Sequence, residues 1–315
     1  MMYLTIFIQW FAVIALAPLM IGMVRMFKAR YQNRVGAPVT LPYWAIASLL
    51  RKEMTVTRYS TWVFHVVPFV VLATALVLAL IVPSIAYGIL SPAISNIFLI
   101  GAIAALGSVF LVFGGMDTAS TFGNMGSSRE MTLAALVEPA FYLVLSTLGL
   151  IAGVWSLDGI LGYFAITPWS MVVPFASVTL LSLLVVILAE NARYPVDNPA
   201  THLELTMVHE AMVLEYSGPY LAMLEYASAI KLTIMVTLFM NLVIPFGLFT
   251  PVAGPLALGI AVVDLVAKLI LGAFLIATIE STIVKMRFYR MQEYMSIAAI
   301  GALVGCILVL LSHSI

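Results

Sequence analysis

Residues 61–82 read TWVFHVVPFVVLATALVLALIV, an apolar run of 22 residues without a Lys, Arg, Asp or Glu. An α-helix needs about 20 mainly apolar residues to cross the hydrocarbon core of a bilayer, and this run meets that length. Seven other stretches of the chain do so as well. The sequence therefore predicts an all-α integral membrane protein with about eight transmembrane helices, at residues 3–24, 61–82, 93–113, 131–153, 169–189, 219–244, 254–279 and 294–311.

The overall composition agrees with this prediction. Of the 315 residues, 63% are hydrophobic and 9% are charged, and the mean hydropathy is +1.14. Soluble domains carry about 25% charged residues, so this composition excludes a water-soluble fold. The formal net charge is zero, which argues against a nucleic-acid partner.

The only cysteine, Cys306, lies within an apolar run. One thiol cannot form an internal disulfide, hold an Fe–S cluster or build a cysteine-rich zinc site. We therefore expect this chain to bind no such cofactor, so that any redox cofactors belong to partner chains. No positively charged residue precedes the first apolar stretch and no convincing cleavage site follows it, so we expect it to be a spanning helix rather than a removable signal peptide.

Among the connections between the predicted helices, only alternate ones carry Lys or Arg. Because basic loops face the cytoplasm, these connections predict one transmembrane domain, 1–315, with cytoplasmic loops at about 25–60, 114–130, 190–218 and 280–293. Both termini are then expected on the outer side of a cell (inner) membrane. Residues 41–50 (LPYWAIASLL) are too short to span and predict a helix lying in the cytoplasmic interface. Twelve of the 14 basic residues lie in these loops: Arg25, Lys28, Arg30, Arg34, Arg51, Lys52, Arg58, Arg129, Arg193, Lys285, Arg287 and Arg290.

Several carboxylates lie within the predicted helices or at their ends. A charged side chain at the bilayer centre costs about 2.5–3.5 kcal/mol on insertion scales, so such residues are functional candidates. Glu138 has no basic residue at helical spacing, and we favour a functional role for it. Asp264 and Lys268 are spaced i, i+4, and ion pairing is the favoured interpretation of that pair. The other three are Glu190, Glu225 and Glu280, of which the first and last could be hydrated at helix ends.

Local patterns explain other polar residues. Ser127 and Glu130 fit a capping box at a helix start. His202 and His209 share a helix face and could hold a metal with nearby carboxylates. The HExxH motif is absent, however, and polar residues on one face of an amphipathic helix explain the pattern equally well.

Three cytoplasmic segments carry a family resemblance. The first is residues 32–36 (QNRVG) followed by 50–53 (LRKE), and the second, which is the most specific, is 189–197 (AENARYPVD). The second continues through Glu204, the run 215–218 (EYSG) and 225–227 (EYA), and the third is Lys268 followed by 285–287 (KMR). Together with eight helices, these segments resemble the membrane subunit at the heel of respiratory complex I, which joins the membrane arm to the redox arm.

Departures from the complex I pattern narrow the resemblance. Ala200 and His202 replace two glutamates of the second segment, and Glu280 stands where complex I types carry arginine. Residues 195–210 and 280–290 are instead similar to the membrane subunit of energy-converting group 4 [NiFe] hydrogenases, including formate hydrogenlyase. The missing acids also weaken a quinone role.

The resemblance implies roles for individual residues. It implies a proton path from the redox interface into the membrane, and docking of a hydrogenase-like large subunit and an Fe–S small subunit, with antiporter-like membrane partners. The Ni–Fe centre and the Fe–S clusters would lie in those partners. The implied path comprises Glu138, Glu190, Asp197, Glu204, Glu215, Glu225, Lys231, Asp264, Lys268 and Glu280. The implied docking residues are Arg25, Arg30, Arg34, Arg193, Lys285, Arg287 and Arg290.

Two alternatives remain open from the sequence. One is the quinone-site membrane subunit of an NADH:quinone oxidoreductase of complex I type. The other is a stand-alone secondary ion transporter. Transporters often contain internal repeats, none is evident here, and the conspicuous residues cluster on one side, which favours a docking subunit that performs no bond chemistry itself.

Overall fold

The structure, a computed structural model, describes residues 2–197, 208–248, 250, 255–284, 286 and 290–314. These residues form helices joined by short connections. The helices, in chain order, are α1 (Met2–Tyr31), α2 (Leu41–Leu50), α3 (Trp62–Ile81), α4 (Ile97–Asp117), α5 (Thr121–Ala152), α6 (Leu157–Ile166), α7 (Trp169–Glu190), α8 (His209–Val213), α9 (Gly218–Val243), α10 (Pro255–Thr282) and α11 (Met291–Ser314).

Each of the eight predicted spanning stretches contains one long helix, which confirms the predicted fold class. Seven of these helices are long and apolar enough, over their described residues, to cross a membrane. The eighth, α7, has 22 residues, of which 176–190 form the apolar stretch with fully described side chains. The chain is a multi-pass membrane protein.

The connection between α4 and α5 differs from the prediction. The expected loop 114–130 is mostly helical, because α4 continues to Asp117 and α5 begins at Thr121. The hydroxyl of Ser120 accepts a hydrogen bond from the Gly123 amide at 3.0 Å and caps α5. The capping box at Ser127 is therefore wrong: this residue is buried within α5, and its hydroxyl donates to the Val112 carbonyl at 3.1 Å.

The described basic residues of the connections lie at one end of the bundle, where Lys28 and Arg193 both contact Glu280. We call this the charged end and the opposite one the uncharged end. The short helix predicted over residues 41–50 is present as α2, with Trp44 71% exposed and Pro42 buried. The Tyr43 hydroxyl donates to the Ala15 carbonyl of α1. Helix α6, which the sequence did not predict, packs beside α5 at the uncharged end.

Helix α9 forms the centre of the bundle. It contacts α1, α2, α3, α7 and α10, and its segment from Leu232 to Leu242 is buried throughout. Because α9 also carries Lys231 and Asn241, it places polar groups at two depths inside an otherwise apolar core.

Helix α8, which lies between α7 and α9 in the chain, packs onto the charged ends of α4 and α5. Short α8 approaches both helices closely because glycines face it. A Cβ added to Gly115 would lie 3.0 Å from the Met212 side chain, and one added to Gly126 would lie 2.8 Å from that of Ala211. The Tyr216 ring stacks on Phe64 of α3 with centroids 4.1 Å apart. These contacts hold the start of α9 against α3 and α4.

Candidate functional site

A cavity of about 140 Å³ lies between α3, α4, α5, α7 and α9, directly beneath the segment that follows α7. Apolar side chains of α3, α4 and α9 form its deep wall. Its lining residues with titratable side chains are Glu130, Glu190, Arg193, Asp197, His209, Glu210, Glu225 and Lys231. The structure thus brings residues from distant parts of the chain into one polar space within a membrane protein.

An ion pair crosses this cavity from α7 to α9. The Lys231 ammonium lies 2.8 Å from the Glu190 carboxylate, and the two side chains are 22% and 11% exposed. The same ammonium donates a hydrogen bond to the Ser108 hydroxyl of α4 at 3.2 Å. Lys231 therefore connects three helices and compensates the charge of a nearly buried carboxylate.

The turn after α7 positions Asp197 against α8. Asp197 is 2% exposed, and its carboxylate accepts hydrogen bonds from the amides of Val208 and His209, each at 3.3 Å. Burial lowers the pKa of His209 to about 4, and the neighbouring Asp197 carboxylate opposes this shift only in part. His209 is therefore neutral near pH 7. Among the described residues, no group of three His, Cys, Asp or Glu side chains is arranged to hold a metal, and His202 lies outside them.

A second charged cluster joins α1, α10 and the turn after α7. The Glu280 carboxylate accepts hydrogen bonds from Lys28 at 3.1 Å and from Arg193 at 3.2 Å. Its side chain is 1% exposed, so the interpretation of Glu280 as a hydrated helix-end residue is wrong. The Lys28 ammonium also lies 4.9 Å from the centroid of the Tyr194 ring. The pairing of Arg193 with Glu280 turns this arginine inward.

Other residues of the implied proton path occupy different positions. Glu225 lines the cavity, and Glu215 is partly buried in the turn before α9. Glu138 lies on α5 two turns beyond Glu130, about 12 Å further along the helix axis, and its side chain is partly buried. Glu204 lies outside the described residues.

The Asp264–Lys268 pair does not belong to the cavity. Its ion pair forms as favoured from the i, i+4 spacing, with 2.7 Å between the charged atoms. Lys268 contacts Asn241, which lies ten residues beyond Lys231 on α9 and so about 15 Å further along its axis. The two buried lysines therefore occupy separate polar sites.

The described basic residues implied in docking lie at the charged end. Arg25, Arg30, Arg34 and Arg290 are exposed, whereas Arg193 is 12% exposed because it pairs with Glu280. Lys285 and Arg287 lie outside the described residues.

Sequence reasoning missed three polar residues that the fold brings into these sites. Glu130 was explained as a helix cap, yet it lines the cavity because α5 begins nine residues earlier. Ser108 and Asn241 gave no signal, since a lone hydroxyl or amide in an apolar run is not distinctive. Their roles become clear only in the structure, where Ser108 binds Lys231 and Asn241 binds Lys268.

Comparison with known proteins agrees with the fold. Residues 3–311 match the model of the family described as NADH dehydrogenase. The fold is shared with a chain of the archaeal membrane-bound sulfane sulfur reductase, a respiratory membrane complex, at a TM-score of 0.79 and 16% identity, covering 98% of this chain and 99% of that one. This all-helical membrane bundle with a carboxylate-lined cavity is therefore a membrane subunit of the class found in respiratory complexes. The chain belongs to the NADH dehydrogenase family.

Relatives within this class distinguish two types. The chain is 34% identical to hydrogenase-4 component C of Escherichia coli, over 91% of this chain and 90% of the relative. It is 30% identical to formate hydrogenlyase subunit 4 of the same organism, over 89% and 90%. Identity to a subunit of the NADH-quinone oxidoreductase of Cupriavidus pinatubonensis is 27%, over 65% and 60%. The resemblance to both types is confirmed, and the hydrogenase-type relatives match more of the chain.

Proposed function

We propose that this chain is the membrane-anchoring and proton-coupling subunit of a complex I-like, membrane-bound [NiFe] hydrogenase of the formate hydrogenlyase type. The observation that carries the proposal is the cavity lined by carboxylates and Lys231, which begins at the charged end and extends into the membrane-spanning bundle. The choice of type is supported by the hydrogenase-type relatives, which match about nine tenths of the chain.

The cavity residues would take up and pass protons. Hydrogen formation would take place at a Ni–Fe centre, with Fe–S clusters, in partner subunits. A negative charge arriving beside the charged end would favour protonation of the nearest carboxylates, because like charges in a low-dielectric region repel strongly. The first acceptors would be Asp197 and Glu225, followed by the Glu190–Lys231 pair.

Glu190 and Lys231 would form the switching element of this relay. In their 2.8 Å ion pair, each side chain balances the charge of the other while the pair is closed. Protonation of Glu190 would release the ammonium, which still has the Ser108 hydroxyl as a partner. Glu138, deeper in α5, would receive the change in charge and pass it to antiporter-like membrane partners.

The charged end would dock the peripheral arm and face the cytoplasm. Exposed Arg25, Arg30, Arg34 and Arg290 would pair with acidic surfaces of the large and Fe–S subunits, together with Lys285 and Arg287. The positive-inside rule gives the orientation, with both termini outside a cell (inner) membrane.

Purification of the intact complex through a tag on this chain tests the redox partner. We expect nickel, Fe–S iron and hydrogenase-like subunits to co-purify. Subunits of an NADH-oxidising, quinone-reducing enzyme would instead establish the complex I-type alternative. A chain that purifies alone and transports ions would establish the transporter alternative.

A Glu190→Gln variant tests the relay separately. We expect slower proton translocation per hydrogen formed, with an assembled complex, because the amide cannot release a proton. The matched control is Glu53→Gln, which neutralises an exposed carboxylate at the same end of the bundle and should leave coupling intact. Equal coupling in both variants would contradict the relay.

A further inference from the structure

A buried turn of the chain lies at the uncharged end of the bundle. Residues 82–86 (VPSIA) follow α3 directly, and all five are buried. Val82, Ser84, Ile85 and Ala86 are 1–5% exposed. Within a membrane protein, a non-helical backbone is tolerated only where its polar groups find partners. The backbone amides and carbonyls of this turn therefore need hydrogen-bond partners inside the bundle.

Two buried amide side chains from different helices bind the turn. The Gln9 side chain of α1 donates to the Val82 carbonyl at 3.3 Å and accepts from the amides of Ile85 and Ala86 at 3.2 and 3.3 Å. The Asn241 side chain of α9 donates to the Ser84 carbonyl at 3.0 Å. Gln9 and Asn241 are 4% and 0% exposed, so these bonds form away from water and fix the turn firmly.

A buried ammonium lies directly behind this clamp. Lys268 of α10 is 2% exposed, and its ammonium donates to the Asn241 side-chain oxygen at 3.1 Å and to the Phe246 carbonyl at 2.7 Å. Its carboxylate partner, Asp264, is 26% exposed. The positive charge therefore faces the protein interior, while the negative charge of the pair lies on the more accessible side.

An apolar layer separates the ammonium from the cavity. Between Lys231 and Asn241, α9 presents buried side chains, most of them apolar, over about 15 Å. Leu78 and Leu232 line the deep wall of the cavity on the same path. A proton that leaves the cavity toward the uncharged end would thus meet first an apolar layer and then a fixed positive charge.

We propose that residues 82–86, clamped by Gln9 and Asn241 and backed by the Lys268 ammonium, form a seal that prevents protons in the cavity from escaping through the uncharged end. A fixed positive charge in a constriction excludes protons and cations in membrane pores, and the oriented ammonium supplies that charge here. The Asp264–Lys268 pair thereby has a barrier role instead of the relay step that the family resemblance implies. This inference rests on the proposed function in one respect only, namely that protons reach the cavity.

Passive proton leak through the intact complex in proteoliposomes tests the seal. A potassium gradient with valinomycin would impose a membrane potential in the absence of redox substrate. A pH-sensitive dye trapped inside the vesicles would report proton entry. The leak rate would be divided by the amount of assembled complex. A unit charge acting over about 10 Å at an effective dielectric constant of about 20 changes local proton occupancy by about tenfold. We therefore expect Lys268→Met, which keeps the stem and removes the charge, to raise the leak by about tenfold.

Two further variants separate charge from packing. Asp264→Asn breaks the ion pair but keeps the ammonium and should remain as tight as wild type, whereas the double variant Asp264→Asn/Lys268→Met should leak. If Lys268→Met does not assemble, the double variant, which buries no unpaired charge, takes its place. Wild-type tightness of assembled complexes lacking the Lys268 charge would overturn the proposal. So would a leak in Asp264→Asn equal to that of the double variant. Since the assay uses no redox reaction, its result is independent of the partner enzyme.

Discussion

The Glu280 cluster offers a direct test of how buried charge holds this fold together. The Glu280 carboxylate is 1% exposed and bonds to Lys28 and Arg193 at 3.1 and 3.2 Å. A Glu280→Gln substitution keeps the size of the side chain but removes the negative charge. It leaves two cations facing an amide that cannot neutralise them.

The expected magnitude follows from the burial of the three partners. Removing one member of a buried ion pair costs about 3–5 kcal/mol. Lys28 and Arg193 are 23% and 12% exposed and can turn partly toward water, so we expect the lower limit, about 3 kcal/mol. Lys28→Met should cost only about 1 kcal/mol, because the Arg193 bond to Glu280 remains.

Thermal stability of the detergent-solubilised complex measures the effect. A change of 1 kcal/mol moves Tm by about 2–4 °C in domains of 150–250 residues, so a cost of about 3 kcal/mol should lower the Tm of Glu280→Gln by about 6 °C or more. Residues in contact are not additive, and the double variant with Lys28→Met should be more stable than the sum of the single effects. A Tm within about 1 °C of wild type for Glu280→Gln, or strict additivity, would refute this account of the cluster.

Four further predictions concern single sites. Glu138→Gln should slow proton-coupled turnover without loss of assembly, and wild-type coupling in an assembled complex would refute a relay role. Joint charge reversal of Arg287 and Arg290 should release the peripheral subunits, which co-purification tests. Burial lowers the pKa of His209 from 6.5 to about 4. The unfolded chain therefore binds this proton more readily than the folded one, and the folded complex should lose stability as the pH drops from about 6.5 to 4. A His209→Gln substitution should flatten this pH dependence of Tm. Asp117→Ala should destabilise the complex by about 2 kcal/mol in a thermal melt, since the Asp117 carboxylate accepts three hydrogen bonds at the start of α3, whereas Asp117→Asn should cost less.

Much of the fold was predictable because membrane insertion depends on local composition. A stretch of about 20 apolar residues must form a helix in the bilayer, and loop charge sets helix direction. Interfacial α2 was predictable for the same reason. The start of α5 was not, because residues 121–130 are polar enough to be taken for a loop and become helical through contacts with α4 and α8.

The candidate site was predictable only in part. Glu190 and Lys231 stood out because a charge in an apolar run is conspicuous, yet no spacing in the chain indicated that they pair. Glu130 was masked by a local capping pattern, and Gln9 and Asn241 carry no charge at all. Gln9 and Asn241 matter because both bind the turn at residues 82–86, from which Gln9 is separated by 76 residues and Asn241 by 157.

The sequence by itself determined the class of protein, the positions of its long apolar helices and the family to which it belongs, because each depends on composition or on short motifs. Tertiary structure alone decided which charges meet. It paired Glu190 with Lys231 across a cavity, enclosed Glu280 between two cations and set Lys268 behind a buried turn. The physical reason is that burial changes the solvation energy of a charged side chain far more than the adjacent residues in the sequence do. Burial depends on how the helices pack together.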